Sequence, residues 1–121
     1  MLSPRVCVVD DDESARRALG RLLRELGFHP VAFASAEEYL EAAAREPCDC
    51  LLLDMQLERM SGLELMERLA ASGSRVPVII ISAHDEPALR ARAFELGCAA
   101  YFRKTDPGAK IIEALRRVTA H

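Results

Sequence analysis

Five short apolar runs dictate most of what this chain can become. They are Val6-Cys7-Val8-Val9, Val31-Ala32-Phe33, Cys50-Leu51-Leu52-Leu53, Val78-Ile79-Ile80-Ile81 and Ala99-Ala100-Tyr101-Phe102. Most are continuous rather than alternating, the pattern of parallel strands covered on both faces. Segments with helical period lie between them. Ala15, Ala18, Leu19, Leu22, Leu23 and Leu26 fall on one face of a helix, and Gly27 supplies its stop. A second helix is expected to open at Ser35 and a third at Ser61, each with a glutamate (Glu38, Glu64) placed to complete a capping box, and Gly73 follows the third. Asp85 ahead of Pro87 is expected to cap a fourth helix that ends at Gly97. A fifth starts around Asp106-Pro107 and carries Ile111, Ile112 and Leu115 inward. Strand and helix alternate five times, which predicts an α/β fold with a parallel sheet and helices on both faces.

The 121 residues suffice for one compact domain and are too few for two. With 16 basic against 19 acidic residues the net charge is −3, which argues against a nucleic-acid footprint built on clustered Lys and Arg. No apolar run approaches the roughly 18 residues of a membrane span. Met1 to Arg5 lead straight into the first run without an apolar signal stretch. The expectation is a soluble, non-secreted, cytoplasmic single domain over residues 1–121. Of the four cysteines, Cys48-Asp49-Cys50 is a C-x-C with no second pair to complete a zinc site. Cys7 and Cys50 fall inside strand-like runs, so reduced core thiols are expected.

In an open parallel sheet, ligands bind beyond the carboxyl ends of the strands. After the first run come Asp10, Asp11 and Asp12; after the third, Asp54; after the fourth, Ser82; after the fifth, Lys104. Lys104 is one of two lysines beside fourteen arginines. Each residue has an ordinary reading. Asp12 suits the N-cap of the next helix, Asp54 a turn, Ser82 a capping hydroxyl and Lys104 a solvated charge. Taken together they point further, because converging carboxylates repel one another unless something positive joins them. A hard divalent cation bound through oxygens is the natural remedy, and Mg²⁺ uses one or two carboxylates with waters and phosphate oxygens. The set suits phosphoryl chemistry.

With these motifs the sequence resembles the receiver domains of two-component response regulators. The resemblance covers Val6 to about Val118 and rests on Val8-Val9-Asp10-Asp11-Asp12, Leu52-Leu53-Asp54-Met55, Met60-Ser61-Gly62, Ile80-Ile81-Ser82-Ala83 and Tyr101-Phe102-Arg103-Lys104. It implies a flavodoxin-like sheet with strand order 2-1-3-4-5 and five helices. The stretch from Gly62-Leu63-Glu64-Leu65-Met66 is similar to the subfamily usually fused to a helix-turn-helix output domain involved in transcription regulation; none is expected in this chain. By resemblance, Asp54 is the phosphoacceptor, taking its phosphoryl group from the phosphohistidine of a sensor histidine kinase. Asp11, assisted by Asp10, Asp54 and the Gln56 carbonyl would hold Mg²⁺ or Mn²⁺. Lys104 and Ser82 would contact phosphoryl oxygens. Ser82 and Tyr101 would form a switch pair, coupled to dimerisation through the fourth helix, fifth strand and fifth helix. Gln56 and His84 would tune attack by water. The resemblance implies no turnover of an external substrate, no direct nucleic-acid binding by this domain and no membrane.

Other readings compete. A haloacid-dehalogenase-type phosphatase also uses an aspartate after a parallel strand, but needs a second one where this chain has Gln56. No G-x-x-x-x-G-K-[ST] or G-x-G-x-x-G loop is present, which disfavours nucleotide binding. A flavodoxin shares the strand order, yet no Ser/Thr-rich phosphate loop follows the first strand. A pseudo-receiver, binding partners without phosphorylation, is opposed by the joint presence of Asp11, Asp54, Ser82 and Lys104. The chain also departs from the family pattern. Thr105 follows Lys104 where receivers carry a proline with a cis bond, and Glu58 replaces a proline beyond Asp54. A cis bond before a non-proline residue costs about 2.5–4 kcal/mol. A trans Lys104–Thr105 bond, a rerouted or mobile loop and a less firmly placed ammonium are therefore expected, with Arg59 partly offsetting Glu58.

Overall fold

The computed structural model describes residues 3–83 and 86–120. Strand and helix alternate as β1 (Arg5–Val9), α1 (Glu13–Glu25), β2 (His29–Phe33), α2 (Ala36–Ala43), β3 (Cys50–Asp54), α3 (Gly62–Ala71), β4 (Val78–Ser82), α4 (Pro87–Glu95), β5 (Ala100–Arg103) and α5 (Gly108–Thr119). All four strand pairings are parallel, in the order β2-β1-β3-β4-β5. This is the expected doubly wound sheet. β2 starts earlier than its apolar run because His29 N donates to the Pro4 carbonyl at 2.8 Å. Asp54 and Ser82 are themselves the last residues of their strands.

Alternation of side chains divides the core in two. Cys7, Val9, Leu51, Leu53, Val78 and Ile80 face one layer, with Leu65 and Met66 of α3 and Tyr39 of α2. Val6, Val8, Cys50, Leu52, Ile79 and Ile81 face the other, with Leu23 of α1 and Leu115 of α5. Each of the largest fully buried side chains contributes roughly 1.5–3 kcal/mol by leaving water. Ile111 and Ile112 pack on the second layer as expected.

The helix starts follow their caps. Asp12 accepts from Ser14 N at 2.9 Å, Ser35 Oγ from Glu38 N at 3.1 Å, and Ser61 Oγ from Glu64 N at 3.1 Å. Gly27 ends the first excursion with φ +90°, a conformation that costs a side-chain-bearing residue dearly. The expectation at α4 is corrected. Its N-cap is Glu86, which makes no side-chain cap bond, and the ring of Pro87 presets the first turn. Asp85 and His84 lie outside the described residues. α5 opens at Gly108 with Pro107 as cap, because the Asp106 side chain serves a turn instead, accepting from Arg103 N at 2.8 Å.

Candidate functional site

The register brings the predicted residues to one edge of the sheet. Val9 pairs with Leu53 and Asp54 with Ile81, so Asp10 and Asp54 leave neighbouring strands at the same level. Both are buried, at 4% exposure, while Asp11 is exposed. The Asp-Asp-Asp run thus divides its work. Asp12 caps α1, and its own N–H donates to Asp10 Oδ1 at 2.9 Å. Asp10 is further held by its N–H on the Phe33 carbonyl at 3.2 Å and by Arg16 Nη1 on its carbonyl at 2.8 Å. One carboxylate oxygen from each of Asp10, Asp11 and Asp54 can be chosen so that all lie within 4.8 Å of one another. Three hard oxygen donors this close fit a divalent cation.

Lys104 completes the group. Its Nζ stands 3.3 Å from Asp54 Oδ2 and 3.6 Å from Asp10 Oδ2. Burial drives the Asp54 carboxyl above the ordinary range; the Gln56 N–H, donating to Oδ1 at 2.9 Å, and the Lys104 charge pull it back, while the Asp10 charge pushes it up. Burial alone would lower the Lys104 ammonium, but the charges of Asp54 and Asp10 outweigh it and hold it above its usual value. A carboxylate kept partly dehydrated beside an ammonium can act as a nucleophile, with a positive charge at hand to neutralise what is added to it.

No peptide bond among the described residues is cis, so Lys104–Thr105 is trans, as Thr105 implied. Lys104 N donates to the Ser82 carbonyl at 2.8 Å, extending the β4–β5 ladder, and Asp106 N closes a turn on the Arg103 carbonyl at 3.0 Å. These bonds hold Lys104 at the carboxylates without the proline. On the other side of the site, Glu58 and Arg59 share a groove of about 230 Å³ with Asp11. The start of α3 presses against the end of β3: a Cβ on Gly62 would lie 2.7 Å from the Asp54 carbonyl oxygen and 2.8 Å from Met55 Cα. Gly62 N also donates to the Met55 carbonyl at 3.3 Å.

Ser82 is fully buried, and by alternation it continues the face of Ile80 and of Tyr101, which is paired with Ile80. Tyr101 is buried as well, and its hydroxyl has no hydrogen-bond partner among the described residues. Arg90 lays its guanidinium 5.5 Å from the Tyr101 ring centroid and 5.6 Å from that of Phe94, which is exposed. This Arg90 stack and the Gly62 contact were not foreseen. Arg90 and Phe94 are an i,i+4 pair on α4, but the Arg90–Tyr101 contact joins α4 to β5 and the Gly62 contact joins the start of α3 to the end of β3, and neither of these carries a local sign.

Comparison with known proteins decides the family. The family model described as the response regulator receiver domain matches residues 6–116. The chain belongs to this family. Receiver domains are signalling modules of two-component systems, phosphorylated on an aspartate by sensor kinases. This receiver domain is 34% identical over 111 residues to the transcriptional regulatory protein FixJ of Azorhizobium caulinodans, covering 92% of this chain and 53% of that one. It is 32% identical over 111 residues to the response regulator protein TmoT of Ectopseudomonas mendocina, covering 92% and 50%. The chain thus spans about half the length of the curated relatives it matches. A crystal structure of FixJ-N superposes with a TM-score of 0.90 at 30% identity, covering 100% of this chain and 97% of that one. No helix among the described residues is long and apolar enough to cross a membrane.

Proposed function

We propose that Asp54 is the phosphoacceptor, and that the domain, in the cytoplasm, relays the signal of a sensor histidine kinase to a dimer interface or an output domain regulating transcription. The observation that carries this reading is the buried Asp54 carboxylate with the Lys104 ammonium 3.3 Å away and the Asp10 and Asp11 carboxylates beside it. Asp10, Asp11, Asp54 and the Gln56 carbonyl would hold Mg²⁺ or Mn²⁺, which when bound screens the negative charge of the phosphoryl group. An Asp54 oxygen forms the new O–P bond as the P–N bond of the phosphohistidine breaks. The departing ring nitrogen keeps the electron pair and takes a proton. Lys104 neutralises one phosphoryl oxygen and Ser82 donates to another, so position and charge do most of the catalysis. Gln56 and His84 would then set the rate at which water removes the group, and no external substrate is turned over.

The switch follows from the shared face of Ser82 and Tyr101. Movement of the Ser82 hydroxyl toward a phosphoryl group changes what the Tyr101 side chain packs against, and so shifts an existing equilibrium at α4, β5 and α5 toward a homodimer or a bound partner. Neither nucleic acid nor membrane is a direct partner of this domain. The test is incubation with a small acyl-phosphate or phosphoramidate donor and Mg²⁺, read by intact mass and by borohydride trapping of the acyl phosphate. One phosphoryl group on Asp54, absent from Asp54→Asn, is expected. An unmodified protein would make the domain a pseudo-receiver.

A further inference from the structure

Between α1, α5 and the sheet lies a cavity of about 280 Å³ that reaches the carboxylates at the strand ends. Its floor is apolar and buried, made by Val8, Leu52 and Ile81. The α1 sequence accounts for the gap. In its first two turns the helix offers the cavity only Ala15 and Ala18, whose methyl groups fill little space. The longer Leu19 and Leu22 follow one turn later, and Leu22 is left 38% exposed, so this wall is open to an incoming molecule. The space is larger than the roughly 150 Å³ in which an apolar cavity takes up benzene.

The end of the cavity at the strand tips is charged. Asp10, Asp54 and Lys104 line it, two carboxylates against one ammonium. The ammonium is not shared evenly. Lys104 Nζ donates to Asp54 Oδ2 at 3.3 Å but stands 3.6 Å from Asp10 Oδ2, too far for a hydrogen bond. The other oxygen of each carboxylate is served by backbone, Asp54 Oδ1 by Gln56 N–H and Asp10 Oδ1 by Asp12 N–H. Arg16 is held on the Asp10 carbonyl oxygen at 2.8 Å and lies outside the cavity lining. Among the described residues Asp10 Oδ2 therefore has no donor nearer than the Lys104 contact, although Asp10 is buried. A dehydrated carboxylate oxygen gains most from a charged donor, and the apolar walls gain most from hydrocarbon.

We infer that this cavity binds a small amphipathic amine, an aryl- or alkylammonium. Its N–H groups reach Asp10 Oδ2 and its apolar body lies between α1 and α5. An anionic head would be repelled by the two carboxylates, and a neutral one would leave their surplus charge uncompensated. The bound ammonium and a divalent cation compete for the same oxygens, so the amine holds the domain metal-free and unphosphorylated. That consequence rests on the metal and phosphoacceptor reading above; the binding itself does not.

The test is titration calorimetry on the metal-free chain, with amide resonances followed alongside. The probes are 2-phenylethylamine, 2-phenylethanol, 3-phenylpropionate and methylamine. Phenylethylamine should bind at least roughly tenfold more tightly than the alcohol, which has the body without the charge. The same margin is expected over methylamine, which has the charge without the body, and phenylpropionate should bind most weakly. Amide shifts should fall on α1 and α5. Ala18→Leu, which fills the hollow from an exposed helix position, should weaken the amine by a similar factor and keep the Mg²⁺-dependent rise in thermal midpoint. Mg²⁺ at about ten times its own dissociation constant should weaken the amine to the same extent in wild type. Equal affinity for the amine and the alcohol, or for the amine and methylamine, would overturn the inference. So would amide shifts confined to α4, or amine binding untouched by a folded Ala18→Leu or by bound Mg²⁺. The wild-type titrations decide the matter even if Ala18→Leu does not fold. A chain that binds the amine but is never phosphorylated removes only the phosphoacceptor reading. A chain that is phosphorylated but takes up none of the probes removes only this inference.

Discussion

The Lys104 ammonium stands 3.3 Å from one oxygen of the Asp54 carboxylate, across two strand pairings and 50 residues of sequence. Removing it leaves a dehydrated nucleophile with nothing on that side to neutralise an incoming phosphoryl group. Lys104→Ala should slow acyl-phosphate formation from a small donor by roughly 10²-fold, the size of effect seen when one preorganised donor is deleted. Lys104→Arg should recover little, because a forked guanidinium does not occupy the place of a point charge. Quenched time courses read by intact mass check both; a loss below about threefold would remove Lys104 from the chemistry.

Without metal, Asp54 should destabilise the fold at neutral pH. Its folded pKa is raised, chiefly by burial, so the native state holds the proton more tightly than the unfolded chain. Stability is then highest below the unfolded pKa and falls as pH rises through the folded one, by about 1.4 kcal/mol for each pH unit that separates the two. Metal-free Asp54→Asn should accordingly be more stable than wild type at pH 7, and the difference should shrink as pH drops toward 4. Urea midpoints at several pH values measure it.

Mg²⁺ should raise the thermal midpoint of the wild-type domain, since an ion bound only by the native state stabilises it by mass action. Asp54→Asn and Asp11→Asn should each remove much of that gain. Asp12→Asn should keep it, because Asp12 is spent on the cap of α1, which an asparagine supplies equally well. An Asp12→Asn variant that lost the response would place the ion elsewhere in the acidic run.

Gly62→Ala should cost roughly 1–3 kcal/mol, the range for forcing a methyl group into filled space. The added Cβ meets backbone at 2.7 Å and 2.8 Å, and backbone cannot step aside as a flexible side chain can. The strand end it strikes carries Asp54, so the phosphorylation rate should fall along with the denaturation midpoint.

Tyr101→Phe should leave the unphosphorylated domain as stable as wild type or more so by about 1 kcal/mol, because the deleted hydroxyl is buried without a partner among the described residues. A clear loss of stability would show that the hydroxyl is bonded in solution.

Most of the architecture was legible because strands buried on both faces must read as unbroken apolar runs, and because Ser35 and Ser61 announce their helices through local bonds. α4 was harder to place, since Glu86 caps it without a side-chain bond and leaves only Pro87 as a marker. The convergence of Asp10, Asp54 and Lys104 was legible too, because a parallel sheet delivers every strand end to one edge. The bonds that hold Lys104 there without a proline were not, as they depend on the Ser82 carbonyl and on the Asp106 turn.

Strand order also sets an order in time. A chain growing from its N-terminus has β1, β2 and β3 by residue 54, whereas β5 begins at residue 100. At about 5–20 residues per second, the 50 residues between Asp54 and Lys104 take several seconds to make. Throughout that interval the nascent sheet can gather its three carboxylates but has no β5 ammonium to set against them. Lys104 lies on the last strand to be made, so a sheet built from β1 to β4 alone would bring the carboxylates together without their counter-charge.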